Sequence, residues 1–182
     1  MPGDEHIPQA ADALTHGVTI RRAPRDVWPW LVQMGAGSRG GWYSYDWLEH
    51  LIGAGDFAEG GSAKRLIPEL QQLALGDAVA LSPAGGLTVA VFEPARALVL
   101  HYRMNLLTAG PAHDGEPAIL DWTWAFVLAP VNDGSCRLLA RVRTDYRPRW
   151  LLPLMPLLLE PVHFLMERKM LRTIEQQVRR WR

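Results

Sequence analysis

With Cys136 as its one cysteine, the chain has nothing to pair with internally. An intrachain disulfide is excluded, and so is a cysteine-based metal cluster. Net charge is lacking as well: 19 Lys and Arg balance 19 Asp and Glu. No global field therefore gathers nucleic acid or an anionic membrane. The apolar run 150–166 is too short for a comfortable bilayer span and is broken by Pro153, Pro156, Glu160, Pro161 and His163. The first nine residues are polar, without the apolar centre of a signal peptide. Six histidines (His6, His16, His50, His101, His113 and His163) show no ligand spacing of the H-E-x-x-H kind. P-loop and triad signatures are missing too. The sequence thus offers no metal, no cofactor and no catalytic signature, and it reads as a soluble, cytoplasmic protein.

What is present is the material of one ordinary core. Hydrophobic residues make up 48% of the chain and charged residues 21%, as in a folded globular domain. Residues 1–14 carry little pattern and read as a loose tail, leaving 15–182 as a single domain. Charge is unevenly placed: from Arg141 onward ten Lys/Arg stand against four Asp/Glu, a net of +6, so the rest carries −6. A solvated helix face accounts for this, although contact with phosphate or anionic lipid is open.

The strongest pattern lies at the end. From Pro161 to Arg180, Val162, Met166, Met170, Ile174 and Val178 recur every fourth residue, widened by Leu165, Leu171 and Trp181. Arg168, Arg172, Glu175 and Arg179 lie opposite. This spacing predicts a long amphipathic helix with Pro161 in its first turn. Residues 150–159, apolar and twice interrupted by proline, read equally as helix, loop or lid.

Earlier, residues 18–21 alternate as a strand. A helix then opens at Pro24, with Val27, Trp30, Leu31 and Met34 on one face. The glycine-rich run 35–41 ends it. A second short helix is expected over 42–52. Residues 54–74 read as loop. From residue 78 the period turns to two: 78–81 and 87–92 form a hairpin, 97–104 the next strand, and 119–128 with 137–146 a longer hairpin around Asn132, Asp133 and Gly134. Strands grouped between helices argue an α+β fold with an antiparallel sheet.

Several short motifs carry a family resemblance. Thr19-Ile20 with Ala23-Pro24-x-x-Val27-Trp28-x-x-Leu31, then Glu93-Pro94-x-Arg96-x-Leu98, Trp122-x-Trp124-x-Phe126 and the long terminal helix follow one another as in the helix-grip superfamily. The chain resembles its START-like and polyketide cyclase/dehydrase branches, from Gly17 to Arg180. The resemblance implies a curved antiparallel sheet of about six or seven strands wrapped around a C-terminal helix, with two short helices after the first strand. It also implies a hydrophobic cavity for a lipid, polyketide or similar small ligand. One departure is clear: the strongest glycine cluster lies between the early helices, not in a strand hairpin as in the pollen-allergen branch.

Candidate site residues follow from crowding and alternation. Trp42, Tyr43, Tyr45 and Trp47 exceed what one side of a short helix buries, and they suit a pocket rim. On the strands, Leu100 and Tyr102 share a face, as do Trp122, Trp124 and Phe126. Met166 and Met170 would meet them from the helix. His101, Arg103, Arg141, Arg143 and Asp145 fall on the opposite face, read as solvated. Alternation groups these sets without deciding which looks inward. Gly35-Ala36-Gly37-Ser38-Arg39-Gly40 matches G-x-G-x-x-G but follows a helical pattern, so a nucleotide site is set aside for a connection near a cavity mouth. Asp46 and His50 make an i, i+4 pair.

Three functions fit: a binding or carrier protein for a small hydrophobic ligand; a cyclase-, aromatase- or hydrolase-like enzyme using the same cavity through groups such as His101 or Asp46; and an interaction module docking through 150–159. Membrane contact is possible but not favoured. The sequence leaves the ligand and the oligomeric state open.

Overall fold

A computed structural model describes residues 1–42, 62–82, 85–108, 110–132, 134–151 and 154–181, with the backbone alone described at 81, 82, 85, 151 and 154–159. Strands β1 (Asp12–Ile20), β2 (Ala78–Ser82), β3 (Gly85–Glu93), β4 (Ala97–Asn105), β5 (Ile119–Asn132) and β6 (Ser135–Arg147) form one antiparallel sheet in the order β1-β6-β5-β4-β3-β2. Helix α1 (Pro24–Val32) follows β1, and helix α2 (Leu154–Arg180) closes the chain. This is the expected α+β helix-grip architecture. The second short helix expected over 42–52 lies outside the described residues.

Helix α1 forms where the sequence predicts it. Ala23 is extended, Pro24 takes the first turn and Asp26 sits at the positive end of the helix dipole. Val27, Trp30 and Leu31 point into the core, all at most 1% exposed. In β4 and β5 the alternating apolar residues register directly: Leu98 opposite Phe126, Leu100 opposite Trp124, Tyr102 opposite Trp122. On β6, Val142 and Ala140 continue those rows. Met170, Leu171, Ile174 and Val178 of α2 are buried with them in one cluster. Each such side chain contributes roughly 1.5–3 kcal/mol of apolar burial.

Helix α2 differs from its expected form in two ways. It begins at Leu154, so Pro161 lies inside it rather than in its first turn. Its buried arc is also rotated. Phe164 and Leu165 are exposed and Trp181 is 42% exposed, while Glu167 is buried at 2%. A strict i, i+4 series advances 400° per step and drifts off one face of a 3.6-residue helix. The Val162–Met166–Met170 line therefore starts beside the buried arc, and His163 and Glu167 take its place.

Strand β1 starts at Asp12, six residues before the alternation at 18–21, because its partner is β6: Asp12 pairs with Thr144 and Ile20 with Cys136. Residues ahead of it, read as a loose tail, lie across the outer face of the sheet. Arg143 donates to the Ile7 carbonyl at 2.8 Å, and Arg141 pairs with Asp4 at 2.9 Å. His6 stacks on His101 at 5.6 Å. The face carrying His101, Arg103, Arg141 and Arg143 is thus the outer one, as expected, but its centre is covered rather than solvated. Thr123 and Val99 on that face are at most 1% exposed.

Candidate functional site on the inner sheet face

The glycine-rich run has a local job. Arg39 folds back to donate to the carbonyls of Met34 (2.6 Å) and Val32, capping the end of α1. Gly35 and Gly41 exchange backbone hydrogen bonds at 2.9 and 3.2 Å. Gly35 has φ +130°, and a Cβ there would meet Val79 at 2.9 Å, so the loop needs glycine. The run follows a helix, which removes the strand–turn–helix context a dinucleotide fingerprint requires. What it delivers is Trp42, whose ring stacks on Trp124 with centroids 5.3 Å apart and planes at 18°.

Trp124 is the centre of the inner face. Trp122 lies 5.9 Å from it, Phe126 5.0 Å and His163 of α2 5.7 Å. Its indole N–H donates to Glu167 Oε1 at 3.1 Å. The other carboxylate oxygen meets His16 Nδ1 from β1. A buried carboxylate demands such partners, because leaving it without them costs several kcal/mol. His16 also receives the edge of Phe164 at 5.2 Å. Sheet and helix are therefore tied through one acid, one indole and one imidazole.

Around this knot, polar atoms are buried without partners. Trp42 Nε1, Trp122 Nε1, Tyr102 Oη and His163 Nε2 are occluded and have no hydrogen-bond partner among the described residues. Burial pushes the His163 imidazole below its ordinary pKa; the Glu167 charge opposes this shift, and His16 adds to it. Burial raises the Tyr102 phenol, which keeps it a donor at neutral pH.

No family model and no curated sequence matches the chain. Solved structures align along nearly its whole length at low identity. A Mesorhizobium loti protein is 18% identical, covering 94% of this chain and 99% of its own, with a TM-score of 0.48. Truncated norcoclaurine synthase from Thalictrum flavum is 13% identical over 94% and 95%, with a TM-score of 0.49. A conserved protein from Geobacillus kaustophilus is 10% identical over 92% and 95%, with a TM-score of 0.46.

Against the sequence expectations, Trp42, Tyr102, Trp122 and Trp124 come together on the inner face. Leu100, Phe126 and Met170 lie deeper, at most 1% exposed, and Met166 is half-buried at the helix edge. Tyr43, Tyr45, Trp47 and the Asp46–His50 pair lie outside the described residues. His101 is on the far face, bonded to Asp121 at 2.7 Å and away from α2. Sequence reasoning missed His16, His163 and Glu167. The available signal was a charged residue four positions after a histidine and three before a core methionine, inside an apolar stripe where Glu is almost never buried without a partner.

Two grooves lie elsewhere. One, with a cavity volume of about 270 Å³, is walled by Arg39, Glu69, Asp77 and neighbours; the other, about 440 Å³, lies between Thr19, Arg21, Glu175 and Arg179. Neither includes Trp124. Among the described residues no set of three His, Cys, Asp or Glu could hold a metal ion, and no helix is long and apolar enough to cross a membrane.

Proposed function

We propose that the protein binds a small hydrophobic ligand between the inner sheet face and helix α2. The observation that carries this reading is the set of buried, unpartnered polar atoms on an otherwise apolar aromatic face: Trp42 Nε1, Trp122 Nε1, Tyr102 Oη and His163 Nε2. Buried polar groups in folded proteins nearly always have partners, and an orphaned group points to a water or ligand that completes it. Aromatic walls with few polar groups are the usual make-up of a small-molecule site.

Mass spectrometry of the purified protein, first native and then denatured, tests the reading. A stoichiometric apolar adduct is the expected result. An empty protein whose tryptophan fluorescence is unmoved by fatty acids, aromatic ketones and phenols would overturn it.

The His16–Glu167 pair beside His163 favours a second reading, an enzyme of cyclase, aromatase or hydrolase type in the same place. Turnover of an aromatic polyketide, abolished in His163→Gln, would support it. A partner-docking role through 150–159 finds support in the exposure of Trp150, its first residue, at 71%.

A further inference from the structure

The chemistry of the orphaned groups around Trp124 narrows the ligand class. An indole N–H donates and never accepts, so Trp42 and Trp122 ask for an acceptor. Tyr102, directly opposite Trp122 across β4 and β5, contributes a hydroxyl that stays protonated. Donors of this kind suit an oxygen bearing negative charge, as in dry sites that stabilise oxyanions. His163 is of the other kind. Its ring sits 5.7 Å from Trp124, its Nε2 is occluded and unpartnered, and the Glu167 carboxylate lies one helical turn on. A neutral imidazole there accepts a proton, and the resulting cation faces a buried carboxylate already held by Trp124 and His16.

We propose that this cluster takes a weakly acidic aromatic ligand, a phenol or an enolised 1,3-dicarbonyl, and binds it as its anion. The ligand O–H bond breaks, its proton forms the N–H bond at Nε2 of His163, and the electron pair stays on the ligand oxygen. That oxygen is met by the indole and phenol donors. Net charge in the site is unchanged, because the proton is moved and not lost. The titratable groups acting on His163 among the described residues are Glu167 on its own helix and His16 on β1. The proposal rests on the ligand-site reading above.

The test uses 4-nitrophenol, whose anion absorbs in the visible, with 4-nitroanisole as the isostere that has no acidic proton. Below the phenol's own pKa, the bound phenol is expected to show the phenolate spectrum, its titration displaced downward by about one unit, a tenfold shift. Calorimetry in two buffers of different ionisation enthalpy should find no proton released to solvent. His163→Gln should hold bound 4-nitrophenol in its neutral form. If that variant fails to fold, the spectrum and proton count of the parent protein still decide. Neutral 4-nitrophenol in the parent site, or phenolate with a proton released to buffer, would overturn the proposal and leave the ligand-site reading standing. Failure of both probes to bind would overturn the two together.

Discussion

Trp124 of β5 donates its indole N–H to Glu167 of α2 at 3.1 Å, across 43 residues of sequence. That bond fixes the rotation of the helix on the sheet, because the carboxylate has to reach both Trp124 and His16.

Removing the carboxylate should therefore loosen the helix. Glu167→Ala is expected to lower stability by about 2–3 kcal/mol, the worth of hydrogen bonds to a charged group. For a domain of this size this is a Tm drop of roughly 5–10 °C. Glu167→Gln, which keeps an acceptor for Trp124, should lose less. Urea unfolding of the two variants checks the order, and equal losses would contradict it.

The sign of the pH dependence follows from His163. Its folded pKa lies below the ordinary 6.5, so between those two values the unfolded chain binds more protons than the folded one. The stability it contributes is complete above 6.5 and is lost as pH falls from there through the folded value. His163→Gln should flatten that part of the stability–pH curve. Chemical denaturation in steps below pH 7 measures the slope.

Gly3 is the tight point of the segment lying on the outer face. It has φ +88°, and a Cβ would meet Val99 Cγ1 at 2.6 Å. Gly3→Ala should lift the segment at a cost of about 1–2 kcal/mol, read as faster hydrogen exchange over residues 4–9. Exchange in α2 should not change, since the helix packs on the opposite face.

Cys136 is fully buried and burial pushes its thiol up to about 11, with the Asp26 charge adding to the effect. Thiolate is the reactive form. Iodoacetamide at neutral pH should leave the native protein unmodified and label it fully in urea.

Much of the sheet was legible in the sequence, because alternation and turn chemistry are local. Trp122, Trp124, Phe126 and Leu128 share a face by period alone, and Gly134, at φ +84°, turns β5 into β6 as Asn132-Asp133-Gly134 predicts. The first half of β1 was not legible. Asp12, Thr15 and His16 are polar for a strand and are held there by β6, a partner far along the chain. The same distance hid the site. That His16 belongs with Glu167 is a consequence of strand order and helix rotation, and neither residue's own neighbours announce it. Polar atoms such as Trp42 Nε1 are recognised as orphans only once burial is known.

The strand order also carries a consequence for how the chain assembles. The contacts of β2 with β3, β3 with β4, β4 with β5 and β5 with β6 are all between successive strands, so each closes a short loop. β1 alone is left out of this progression: Ile20 waits for Cys136 and Asp12 for Thr144. During synthesis the first strand emerges earliest and pairs last, after which α2 can seat His163 and Glu167 over Trp124. The inner face around Trp124 is therefore the last part of the molecule to be completed, and a chain stalled before β6 presents a β2–β5 meander with no grip.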